Sequence, residues 1–178
     1  ARYCRCWCGW RRAGWRWPRT ERAVWLLTAF TWVIDESGDL IGHALPGSEA
    51  NPLAHTSNLR ISRLLLNGEV ASEFTVNALC AAGYGVPSVF LSGDAAMCAE
   101  AGAMVPGMST VETLEGKGRA STSISPAWSR RLIREGVASA LSADFSQTLP
   151  DRAERYEVVI EFNNPTDAYR AGWYPGAR

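Results

Sequence analysis

Two histidines and one isolated carboxylate are the residues in this chain best suited to chemistry. His43 sits in Asp39-Leu40-Ile41-Gly42-His43-Ala44-Leu45, His55 in Asn51-Pro52-Leu53-Ala54-His55-Thr56-Ser57-Asn58, and Glu73 follows on an apolar segment. Glu73 is the only charged side chain between Val70 and Gly93, within "VASEFTVNALCAAG". Such surroundings predict a largely buried carboxylate. A buried carboxylate without a partner is costly, so it needs a cation, a metal ion or strong hydrogen-bond donors. A second reading stays open on these residues alone: Glu73 caps a helix start or faces solvent from its first turn, where the helix dipole suits a negative charge. Imidazole is the commonest metal ligand and the usual proton carrier near neutral pH. For any one histidine, a hydrogen-bonded structural or surface role is the ordinary outcome. Two of them close to a lone carboxylate raise another prospect, a His-His-Glu zinc site with an open position. Alternatively one histidine is a ligand and the other an acid, base or nucleophile.

Three other stretches compete for attention. Ser92-Gly93-Asp94 follows an apolar run and precedes a helical one, which suits an anion nest. It lacks the glycines of a phosphate-binding loop, and a tight turn with Asp94 as helix N-cap is the better expectation. "EGKGR" at 115–119 carries two cations that could hold a substrate carboxylate, although a solvated loop is expected. Cys4, Cys6 and Cys8 alternate in "CRCWC" without the paired spacing and fourth ligand of a zinc site.

The elements that must position these groups follow from pattern. "DLIGHAL" reads as a short strand, and "RISRLLLNG" as a strand closed by the Asn67-Gly68 turn signal. "EVASEFTVNALCAAGYG" reads as a helix stopped by Gly83 and Gly85. "VPSVFLSGD" is an apolar strand, and "AAMCAEAGAMV" a helix capped by Asp94. "MSTVETLEGKGR" is a strand and loop. Ser125-Pro126 opens a third helix whose apolar residues Leu132, Ile133, Val137, Ala140 and Leu141 recur at helical spacing. "RYEVVIEF" is a strand with alternation, and "NPTDAYRAGWYPGAR" a short helix and tail. This alternation predicts an α/β fold, a mixed sheet with helices packed on its faces.

With 178 residues, one domain with a real core is expected. Eighteen basic and eighteen acidic side chains balance, so net charge points to neither nucleic acid nor membrane as a partner. Residues 1–31 read differently from the rest. Six of the eight tryptophans and seven arginines lie in the first 32 residues, with Glu21 the only acid there. That segment is expected to be an atypical, poorly ordered leader, and 32–178 the domain. The run at 23–34 is too short to span a bilayer, and five cysteines without paired spacing do not form a secreted disulfide framework. A cytoplasmic location is expected.

Taken together, "NPLAHTSN", "LLLNGEVASEFTVNALCAAGYGVPSVFLSGD", "EGKGR", "SPAWSRRLIREG" and "YEVVIEF…AYRAGWYPGA" resemble the D-aminopeptidase family of DppA-like zinc peptidases. The resemblance is collinear from about Asp39 to the C-terminus. It implies an α/β fold, a two-zinc centre, removal of N-terminal residues from short peptides with D-amino acids preferred, and assembly into a homo-oligomeric ring. It also implies site residues: His43 and Glu73 as metal ligands, and His55 as the catalytic histidine.

The chain departs from the family pattern in several places. The family's opening Asp-x-Glu-Gly strand, which supplies a bridging aspartate and a glutamate, has no counterpart; nor has its Asp-Ser-His-like segment. Gly42 directly precedes His43 with no intervening residue, and Leu114 replaces a frequent lysine. These departures predict an incomplete version of the fold with part of the metal site missing. Two functional expectations result: a zinc-dependent aminopeptidase-like hydrolase of impaired activity, or a non-catalytic remnant serving as an oligomerising or small-molecule-binding module.

Overall fold

A computed structural model describes residues 54–177. His43, the expected "DLIGHAL" strand and the expected boundary at residues 31 and 32 lie outside the described residues. The described strands form two three-stranded sheets.

The first sheet has the order β2-β1-β6 and is antiparallel throughout. Strand β1 spans Ile61–Leu66, β2 Glu69–Val70 and β6 Val158–Phe162. The hairpin between β1 and β2 turns on Asn67 (φ 53°) and Gly68 (φ 86°). Two successive positive φ values are what a two-residue hairpin of matching twist requires, and Asn-Gly supplies them at least cost. Asn67 also ties the hairpin to the segment entering β6. Its Oδ1 accepts from the Glu157 N–H at 2.8 Å and its own N–H donates to the Glu157 carbonyl at 2.9 Å. On β1 and β6, Arg63 grips Glu161 through two hydrogen bonds of 3.0 and 2.7 Å, holding the Glu161 carboxyl below its usual range. Glu69 and Val70 thus belong to a strand, where the sequence pattern predicted helix. The turn chemistry of Asn67-Gly68 outweighs local helix propensity there, and the helix begins only after the Ser72 cap.

The second sheet has the order β3-β4-β5, with β3 (Phe90–Asp94) parallel to β4 (Ser109–Lys117) and β4 antiparallel to β5 (Ala120–Ser123). A parallel pair needs a crossover, and α2 (Ala95–Met104) provides it. Alternate residues of β3 face opposite layers. Leu91 packs with Phe74, Ala78, Met97, Cys98 and Ala101, the core shared by α1 (Glu73–Ala82) and α2. Phe90 faces the other way, against Ala140, Ile133 and Val137 of α3 (Pro126–Ser142). The helices therefore cover both faces of this sheet, as the mixed α/β reading expected. "EGKGR" is mostly strand: Glu115–Lys117 end β4, and Gly118 (φ 61°) turns the chain into β5. That exposed β5 was not legible from its small polar residues.

The helix boundaries follow their caps. Asp94 accepts from the Met97 N–H at 2.7 Å, and Ser125 from the Trp128 N–H at 3.3 Å with Pro126 at the first helical position. α1 ends before Gly83, and Gly85 (φ 68°) takes the left-handed turn that follows. The last helix, α4 (Pro165–Ala171), is capped by Asn164 and lies against β6. Among the described residues no helix is long and apolar enough to cross a membrane.

Candidate functional site

Glu73 is the first residue of α1. Its N-cap, Ser72, accepts from the Thr75 N–H at 3.2 Å, and the Thr75 hydroxyl accepts from the Ser72 N–H at 3.1 Å. This reciprocal box satisfies two of the orphan N–H groups that every helix start exposes. Glu73 therefore does not cap the helix, and its carboxylate is free to turn elsewhere. It turns toward the segment that carries His55.

That segment is a tight turn entering β1. Ser57 has φ 63°, a left-handed conformation that is uncommon for a residue with a side chain. The Asn58 N–H donates to the Thr56 carbonyl at 2.7 Å, and the Asn58 Oδ1 accepts from the Arg60 N–H at 2.9 Å. Beyond the end of β6, Asn163 holds the turn in place: its side-chain amide donates to the Leu59 carbonyl at 2.9 Å, and its N–H to the Arg60 carbonyl at 2.8 Å. A turn pinned from both strands presents the Ser57 backbone and the His55 imidazole to Glu73.

The electrostatics of Glu73 are a contest. Burial pushes its proton affinity above the ordinary carboxylate range; the Ser57 backbone hydrogen bond and the attraction of the His55 imidazole pull it back part of the way. Burial wins. One oxygen, Oε2, is buried and makes no hydrogen bond. An unsatisfied buried acceptor costs on the order of 1–3 kcal/mol, more when charged, so this oxygen calls for a cation or donor. Thr56, fully buried, leaves its hydroxyl oxygen in the same state. A carboxylate oxygen and an imidazole nitrogen are both donors that zinc accepts. Among the described residues these donors number two, and no group of three His, Cys, Asp or Glu gathers to hold a metal.

The structure thus puts Glu73 within electrostatic reach of His55, and His43 lies outside the described residues. Ser57 escaped sequence reasoning. "HTSN" marks a turn, but a serine in a left-handed conformation leaves no signal in the residues themselves. Asp94 is 1% exposed and serves as the N-cap of α2, so Ser92-Gly93-Asp94 is a cap and not an anion nest. A shallow groove of about 350 Å³ opens beside Thr75 and Leu79 of α1, floored by Leu66, Val70 and Met104. It includes neither His55 nor Glu73.

Comparison with known proteins gives a consistent picture. A family profile described as peptidase M55, D-aminopeptidase, matches residues 37–178. A D-aminopeptidase from Bacillus subtilis (strain 168) is 26% identical over 137 residues, covering 76% of this chain and 50% of the relative. A solved structure, the Zn-dependent D-aminopeptidase DppA from Bacillus subtilis, described as a self-compartmentalizing protease, superposes with a TM-score of 0.68. That match is 29% identical and covers 77% of this chain and 50% of the other. The chain spans about half the length of these relatives.

Proposed function

Because this chain belongs to the D-aminopeptidase family, we propose that it acts in zinc-dependent hydrolysis of short peptides bearing an N-terminal D-amino acid. The observation that carries the reading is the buried Oε2 of Glu73, left without a hydrogen bond on a carboxylate within electrostatic reach of His55. Glu73 would hold the metal through that oxygen, and His43 would add an imidazole nitrogen. When bound, zinc polarises a scissile carbonyl and favours the negative charge that develops on it. The Ser57 backbone restrains the Glu73 carboxylate and so limits the directions its lone pairs can take. His55 carries the reactive nitrogen, as general base or as nucleophile. The orphaned oxygen favours this reading over that of a non-catalytic module, for which no feature of the site speaks.

Two companion proposals follow. Self-association is favoured by an exposed aromatic group on and after α4, Tyr169, Trp173 and Tyr174, which are 69%, 70% and 54% exposed. A cytoplasmic location suits Cys98, a buried free thiol.

The test is metal analysis joined to hydrolysis assays on the purified chain. The proposal expects bound zinc and faster cleavage of a dipeptide with an N-terminal D-residue than of its L counterpart. His55→Ala should abolish cleavage while zinc is retained, and Glu73→Gln should lose the zinc. A chain that binds no zinc, or a His55→Ala variant that cleaves normally, refutes it.

A further inference from the structure

Between α1 and α2 lies a polar cluster that neither the sequence motifs nor the proposed reaction uses. Glu100, on α2, accepts the Ser72 hydroxyl at 2.6 Å and the Thr75 hydroxyl at 2.7 Å, both on its Oε1. The two partners are 28 and 25 residues away in the chain. Ser72 and Thr75 are also the two halves of the capping box around Glu73. We propose that Glu100 is a positioning residue for the candidate site: by clamping both hydroxyls it fixes the first turn of α1, and thereby the aim of Glu73. This inference rests on the metal-binding role proposed above for Glu73.

The hydrogen-bond directions make the clamp specific. A carboxylate only accepts. Each hydroxyl must therefore donate to Glu100, which leaves its lone pairs to accept one backbone N–H of the box. Ser72 Oγ takes the Thr75 N–H and Thr75 Oγ1 takes the Ser72 N–H. No rotor is left free. Distances of 2.6 and 2.7 Å are those of charge-assisted O–H···O⁻ bonds, the stronger class. Glu73 is then held between Ser72, 1% exposed and clamped, and Phe74, fully buried in the core.

The capping box alone would satisfy the helix start. Glu100 adds a half-buried carboxylate whose second oxygen is buried without a hydrogen bond. For stability alone that is a poor exchange, because a partly buried charge with an orphaned oxygen returns little. It makes sense where a ligand must be held to within a fraction of an ångström, which requires a supporting shell that locks its backbone.

Glu100→Ala and Glu100→Gln test the proposal. A glutamine can still accept both hydroxyls on its amide oxygen, whereas alanine accepts neither. The readouts are zinc affinity by chelator competition, the visible spectrum of the cobalt-substituted protein, amide exchange at Thr75 and Val76 without metal, and thermal unfolding. Glu100→Ala should bind zinc about tenfold more weakly, with a changed cobalt spectrum and faster exchange at those two amides. Glu100→Gln should restore all three to within about twofold of the wild type, because the hydrogen-bond geometry survives. Should Glu100→Ala fail to fold, Glu100→Asp draws the carboxylate back by one methylene from both hydroxyls while leaving the capping box intact, and an intermediate loss of zinc affinity is expected.

A folded Glu100→Ala protein with unchanged zinc affinity and spectrum but lower thermal stability overturns the proposal, leaving a plain interhelical staple. So does Glu100→Gln behaving like Glu100→Ala. If the wild type binds no zinc, the metal-binding reading of Glu73 fails, and the positioning role falls with it. That result is distinct from a wild type that binds zinc and an alanine variant that binds it equally well.

Discussion

Gly136 is the position where helix propensity and packing make opposite demands, so its substitution measures how tightly α3 sits on the sheet. A Cβ at Gly136 would lie 2.7 Å from Phe90 Cε2 and 3.0 Å from Val111 Cγ2. Carbon atoms pack best at about 3.5–4.0 Å, so the methyl group intrudes by roughly 1 Å. Phe90 is fully buried between Ala140, Ile133 and Val137, and its ring has nowhere open to swing. Relieving the clash must move α3 off the sheet or force the ring off its rotamer, at about 1–3 kcal/mol. Alanine within a helix returns about 1 kcal/mol relative to glycine. Gly136→Ala is therefore expected to destabilise by about 1 kcal/mol and to lower the midpoint of thermal unfolding by about 2–4 °C. Urea denaturation would measure the free energy directly. A double-mutant cycle with Phe90→Leu isolates the cause, since leucine lacks the offending ring carbon. In that background Gly136→Ala should become neutral or stabilising, with a coupling of about 1–2 kcal/mol. Stabilisation by Gly136→Ala alone, or strict additivity of the two changes, would refute the packing argument.

Two further outcomes concern titration and reactivity. Burial raises the proton affinity of Glu73, so the folded chain binds that proton more tightly than the unfolded chain. Stability of the zinc-free protein should then fall as pH rises from the ordinary carboxylate value through the higher folded value, and Glu73→Gln should flatten that slope in chelator-treated samples. A slope unchanged by Glu73→Gln would contradict the assignment. Burial also pushes the Cys98 thiol up to about 12 at 3% exposure, while Cys80 is half-buried. Peptide mapping should find Cys98 alkylated only after the protein is unfolded; ready labelling of Cys98 in the native protein would be the contrary result.

Much of the frame was legible because its punctuation is local. Asn67-Gly68, Asp94, Ser125-Pro126 and the glycines after α1 each act within four residues, and the structure uses all of them as turn, cap or stop. The strands β2 and β5 were missed, since neither carries an apolar signature and each exists only through its neighbour. A shared site for His55 and Glu73 was expected from motif resemblance; residue physics alone left Glu73 undecided between helix start and buried ligand. The structure makes Glu73 the first residue of α1 and partly buries it, while Ser72 takes over the capping. Ser72-Glu73-Phe74-Thr75 also hides its capping box, since threonine stands where a glutamate or glutamine is the usual signal. Glu100 had no signal at all, because its partners are 28 and 25 positions away.

The parallel pairing of β3 with β4 carries one more consequence. The chain must return to the starting end of the sheet between them, and α2 is that return. Inserting or deleting a single residue between Asp94 and Glu100 would turn Glu100 by about 100° around the helix axis, swinging it away from its two hydroxyls. The tip joining β4 to β5 can drift in length at little cost. The stretch from Asp94 to Glu100 cannot, so its residue count should stay constant in descendants of this chain even where its composition changes.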